Sequence, residues 1–240
     1  MVYVRFKQTA LFCLTFCFVF VSRDSTAYQI ARENDRLLLS SGNCAEVQSV
    51  ATALNQWKLN THTAVHNEGS CHIPSFPQGP SCTFDITECV PDHVAKYVGV
   101  RPKIAGPNCW NLALMMRGIL PNLRASSPQE IGFYMRPPLC RPLAEGEKRS
   151  AGDIGLIREM GDGSEINESH AFIYISDEIA YTKNGTGKHP KDDPYLLQSP
   201  DKILSKYLVP QTPACRQNGI SLGNGCANAT SYYRCRSLED

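Results

Sequence analysis

The sequence predicts an α+β fold in which a helix that opens on a cysteine packs on a small antiparallel sheet, flanked by a helical N-terminal part and disulfide-rich extensions. Three observations predict it. The run from Cys109 carries Leu112, Ala113, Met116 and Leu120 at helical spacing on the cysteine's own face. Three strand-like runs follow between positions 153 and 183, the middle one alternating on both faces. Cysteines recur through Pro- and Gly-containing stretches on either side.

The first 27 residues read as a secretory signal peptide. Arg5 and Lys7 precede an apolar run over 10–21, and Ser25-Thr26-Ala27 has the small-x-small pattern of a cleavage site. The run is short for a membrane span, so the mature chain is expected to begin near Tyr28 and to be secreted or periplasmic, with a signal anchor as the competing reading. A formal charge of +1 and the lack of arginines interleaved with aromatics argue against a nucleic-acid partner.

Cysteine usage says more. Of 11 cysteines, Cys13 and Cys17 fall in the leader, and the remaining odd number cannot all pair within one chain. Four disulfides and one free thiol is the simplest arrangement in an oxidising compartment, with no pairing fixed by sequence. Cys109 is the thiol with a catalytic context. Its competing role is a bridge to another chain.

Taken in order, 28–60 reads as two short helices broken at Ser40-Ser41-Gly42. His62 and His66 lie one helical turn apart near Cys71 and His72, but the glutamate of a His-Glu-x-x-His site is missing, so a solvated loop is expected and no metal. Irregular, cross-linked chain runs to Pro91, completing an N-terminal part over 28–91. A core over 92–209 begins with a short helix over 92–98 capped by Asp92. Pro107-Asn108 supplies a turn and a cap that place Cys109 at the first helical position of a run ending near Leu120. The proline-rich connection over 122–150 is expected to form one wall of a substrate cleft.

The strand-like runs are 153–157, 169–175 and 178–183. Apolar residues on both faces of the second make it central and covered on both sides. A three-residue loop at Ser176-Asp177-Glu178 puts Thr182 opposite Phe172 and Asn184 opposite His170; a two-residue loop turns Tyr181 and Lys183 to the histidine's face instead. A helix over 200–208 and a disulfide-fastened extension over 210–240 complete the chain.

The chemistry these residues suggest is acyl transfer. A thiol attacks a carbonyl as thiolate, needs a base nearby, and needs that base held in one tautomer while N–H donors receive the oxyanion. Cys109 is the candidate nucleophile, favoured as thiolate by the helix N-terminus. His170 is the base, and Asn184 or Thr182 is the orienting oxygen.

This ordering, with Cys109 opening a helix, Gly152-Asp153-Ile154, then His170-Ala171-Phe172-Ile173-Tyr174-Ile175 and a return hairpin, resembles the NlpC/P60 branch of papain-like cysteine peptidases over roughly residues 95–187. Tyr97, twelve positions before Cys109, is similar to the tyrosine that family places upstream of its nucleophile. The family's third catalytic group falls on the strand after the histidine, here at Thr182. Its Asp-Cys-Ser-Gly is replaced by Asn108-Cys109-Trp110-Asn111, closer to the Cys-Trp of papain, although the Cys109–His170 spacing is far shorter than in the papain branch. The resemblance implies a cofactor-free hydrolase of peptide or amide bonds, with peptidoglycan the first guess. Tyr97, Asn108 and Trp110 then support substrate or oxyanion. A monomer without stable membrane insertion is expected. The alternative is an exported binding or inhibitory protein that uses a papain-like shell without turnover.

Overall fold

A computed structural model describes residues 28–61, 70–75, 81–102, 107–160, 166–185, 194–207 and 227–236. The leader, His62, His66, Cys215 and Cys226 lie outside these residues.

The first departure from the sequence reading comes at once. Residues 28–41 form a hairpin, β1 (Gln29–Glu33) and β2 (Arg36–Ser41), rather than a helix. Asn34, at φ 55°, takes the left-handed conformation that a two-residue turn requires, and Glu33 pairs with Arg36 across it. Three consecutive leucines satisfy either period. Here Leu37 and Leu39 are buried with half-buried Leu38 between them, so the pattern is the alternation of a strand.

The first helix, α1 (Cys44–Thr61), buries Val47, Val50, Ala51, Leu54 and Trp57 along one stripe. A third strand, β3 (Cys82–Asp85), pairs antiparallel with β2. Disulfides Cys44–Cys82 and Cys71–Cys89 fasten this N-terminal unit.

A single turn, α2 (Asp92–Ala95), starts after Pro91. Asp92 is its first helical residue rather than its cap; Pro91 holds the cap position, and its ring offers no acceptor to the first helical N–H groups. The helix α3 (Cys109–Met116) is one turn shorter than the apolar run suggested. Its C-cap Arg117 departs from helical geometry, and Gly118 follows at φ 67°. Within the long connection lie α4 (Pro128–Tyr134), capped by Ser127, and the short strand β4 (Cys140–Pro142).

Then come β5 (Ile154–Met160), β6 (Ile166–Tyr174), β7 (Ala180–Lys183), β8 (Tyr195–Gln198), α5 (Pro200–Tyr207) and β9 (Ala227–Cys235). The main sheet is antiparallel, in the order β4-β9-β5-β6-β7-β8. Three of its strands were not visible in the sequence: the short β4, β8, and β9, which is no peripheral extension but sits between β4 and β5. The third disulfide, Cys140–Cys235, joins β4 to β9.

Of the two β6–β7 registers, the one with the three-residue loop is found. Phe172 faces Thr182, and the Ser176 and Ile175 N–H groups close the turn on the Ile179 carbonyl. The sheet has two covered faces. Ala171, Ile173 and Tyr181 belong to the large core with Cys109, Leu112 and Ala113 of α3. Phe172, Tyr174 and Ala180 pack on the other side, against Ile203, Leu204 and Tyr207 of α5 and Tyr232 of β9. The Phe172 ring lies so close over Gly155 that a Cβ there would come within 2.3 Å of it.

Candidate functional site

Cys109 sits where the sequence placed it, at the start of α3. The Asn108 side chain accepts from the Asn111 N–H at 3.0 Å, and its own amide donates to the Ser126 carbonyl at 2.7 Å. The cap therefore also ties the helix start to the segment before α4. Cys44, Cys71, Cys82, Cys89, Cys140 and Cys235 are bridged, and Cys109 is the free thiol among the described residues.

The sulfur is not the thiolate that a helix start alone would favour. Burial pushes its pKa up to about 11, and the N–H groups of Ala171, Trp110 and Cys109 itself and the charge of Lys183 offset only part of that. A two-turn helix contributes at most about 1–2 kcal/mol through its dipole, less than desolvating a thiolate costs. At neutral pH the resting group is a thiol.

His170 is buried in β6. Strand alternation turns its ring to the side of Phe172 and Tyr174, where it stacks on Tyr207 of α5 at 3.8 Å between centroids and 8° between planes. Nε2 lies 2.8 Å from Thr182 Oγ1, a contact satisfied with either group as donor. Burial, reinforced by the nearby Lys206 charge, drives the imidazole pKa down to about 3, so the ring is neutral near pH 7.

Cys109 approaches β6 from the other side, and its sulfur meets the N–H of Ala171, the peptide that leaves His170. The sulfur and the imidazole therefore lie on opposite faces of β6, and among the described residues no hydrogen bond joins them directly. Of the two candidate oxygens, Thr182 Oγ1 is the one that meets the imidazole. Asn184, also buried, accepts at Oδ1 from the Tyr207 hydroxyl at 3.4 Å rather than touching the imidazole.

The remaining candidates are less central. Trp110 is half-buried, and its indole N–H is enclosed without a partner among the described residues. Tyr97 packs its ring on Tyr195 of β8, 5.4 Å between centroids, with the Lys96 ammonium over it. Sequence reasoning missed Tyr207, for which no local signal existed, and Lys183, a fully buried lysine on β7 whose strand parity places it on the Cys109 side. Among the described residues no cluster of histidine, cysteine and carboxylate could hold a metal ion, and no helix is long and apolar enough to cross a membrane.

No protein-family model, curated protein or solved structure matches the chain.

Proposed function

We propose that the chain is an exported cysteine hydrolase of the papain-like NlpC/P60 kind that cleaves a peptide or amide bond, with cell-wall peptide as the first substrate class to test. One observation carries the reading. In a chain whose other described cysteines are bridged, the single free thiol starts a capped helix and lies at the peptide N–H that follows a buried, oriented histidine. The three disulfides are compatible with export.

The neutral resting thiol must lose its proton as it reacts. As the sulfur attacks the substrate carbonyl carbon, the thiol proton passes to solvent water and the carbonyl π electrons move to oxygen. The Ala171, Trp110 and Cys109 N–H groups that stabilise a thiolate are the donors closest to the developing charge. His170, on the far face of β6, takes no proton from the sulfur directly; its contacts to Thr182 and Tyr207 hold the strand that carries the Ala171 N–H. Collapse of the tetrahedral species breaks the C–N bond, and the leaving amine takes a proton from water. A second water then hydrolyses the thioester and restores the thiol.

The second reading, a binding or inhibitory protein, is favoured by closure of the site: Cys109 is 6% exposed and His170 1%. Incubation with purified cell-wall peptides and a panel of lipid and peptide amides, with products identified by mass, separates the two. The hydrolase reading expects cleavage by the wild type and none by Cys109→Ala. Equal cleavage by Cys109→Ala, or none by either protein, overturns it.

A further inference from the structure

We propose that Lys183 is the counter-ion of the Cys109 thiolate, a positioning residue that acts on the nucleophile from the side opposite His170. The inference rests on Cys109 being the nucleophile, as proposed above, and extends that reading to a residue the catalytic pair does not include.

Phe172 pairs with Thr182, so the next position along brings Lys183 opposite Ala171. Ala171 is the residue whose N–H meets the Cys109 sulfur. Parity sends the Thr182 side chain to the imidazole's face and the Lys183 side chain to the face on which α3 packs. The sulfur therefore sits at the seam of β6 and β7, with a donor N–H on one strand and an ammonium on the other.

Burial makes the ammonium consequential. Lys183 is 0% exposed, and its Nζ donates to the Asn184 carbonyl at 3.4 Å. Taking an ammonium out of water costs roughly several kcal/mol, and anionic charge forming beside it returns part of that. In so dry a position the attraction is screened far less than at a surface. His170 cannot fill this role at rest, because it is neutral near pH 7.

The elements packed against α3 are β6, β7 and α4. Their described titratable or charged side chains are His170 and Tyr174 on β6, Tyr181 and Lys183 on β7, and Glu130 and Tyr134 on α4. Glu130 is engaged by Arg124, Tyr174 lies on the far face, and burial holds the Tyr181 phenol neutral. Lys183 is the member of this set whose charge acts on the sulfur.

The test is the pH dependence of Cys109 alkylation by iodoacetamide, read by peptide mass, in wild type, Lys183→Met, Lys183→Arg and His170→Gln, each checked for native circular dichroism. Lys183→Met is expected to raise the labelling midpoint by about one pH unit or more, equivalent to a roughly tenfold loss of thiolate at a given pH. Lys183→Arg is expected to keep it within about half a unit. An unchanged midpoint in folded Lys183→Met overturns the proposal. If Lys183→Met does not fold, the Lys183 15Nζ resonance is followed with pH in wild type and Cys109→Ser. A higher lysine pKa in the wild type supports the pairing, and identical curves overturn it. A Lys183 effect on labelling in a protein that cleaves no amide would sink the hydrolase reading alone.

Discussion

At the scale of single residues the site is two buried neutral groups held by their neighbours. His170 is fixed by a hydroxyl on one side and a phenol ring on the other. Thr182→Val keeps the shape of the side chain and removes the hydroxyl, leaving Nε2 without its partner. Because an orphaned buried group costs about 1–3 kcal/mol, we expect kcat to fall between roughly tenfold and hundredfold. Asn184→Ala, which removes only an acceptor for Tyr207, is expected to do less. Steady-state kinetics of both variants check the order. The same burial makes the fold sensitive to acid. The folded protein keeps His170 neutral down to about pH 3, while the unfolded chain takes up its proton near 6.5. This contribution to stability is whole above 6.5 and is lost as pH falls towards 3, at up to about 1.4 kcal/mol per pH unit. Urea midpoints recorded across that range should fall with acid in wild type and fall less in His170→Gln; parallel curves would show that the ring's burial does not govern acid stability.

At the scale of elements, α3 depends on its cap and β5 on one glycine. Asn108→Ala removes the acceptor for the Asn111 N–H and the donor to Ser126, and should cost about 1–2 kcal/mol by denaturant titration. Gly155→Ala forces the Phe172 ring to move and should cost about 1–3 kcal/mol. A neutral result would mean that α5 and Phe172 shift freely. These elements also mark how far the sequence could be read. The cap at Asn108 and the two-sided burial of β6 were legible because each is written in a few adjacent residues, whereas the β6–β7 register was narrowed to two and is decided by the turn that closes on the Ile179 carbonyl. The hairpin of β1 and β2 was not, since Leu37-Leu38-Leu39 fits a helix as well as a strand and tertiary pairing with β3 decides between them. Among the described side chains of β9, Tyr233 and Cys235 are the buried apolar ones, and the strand holds no Val, Ile or Leu to give a periodicity. The site was half legible for a related reason: residue identities named the thiol and the imidazole, whereas Tyr207 and Lys183 reach the site from distant α5 and by strand parity.

At the scale of the whole molecule, the last described strand completes the sheet from its middle. β9 lies between β4 and β5, and Cys140–Cys235 closes a loop of 95 positions. Arg234 adds a two-oxygen clamp on buried Asp153, at 3.0 and 2.9 Å, that binds β9 to the start of β5. Replacing both cysteines by serine should remove about 4–5 kcal/mol by the loop-entropy relation, seen as a lower melting temperature and early proteolysis of the C-terminal segment. An unchanged melt would mean that pairing and the Arg234 clamp suffice. This frame holds β5 and β6 in place, and so fixes where the Ala171 N–H meets α3. The central claim is that the sulfur at this junction forms a covalent acyl intermediate. Its most direct test is acid quenching of the protein during turnover of a peptide p-nitroanilide and mass analysis of the digested chain. The account predicts a substrate-acyl adduct on the Cys109 peptide that vanishes in Cys109→Ser and accumulates less in His170→Gln. Turnover with Cys109 unmodified throughout, or an adduct at any other residue, would contradict it.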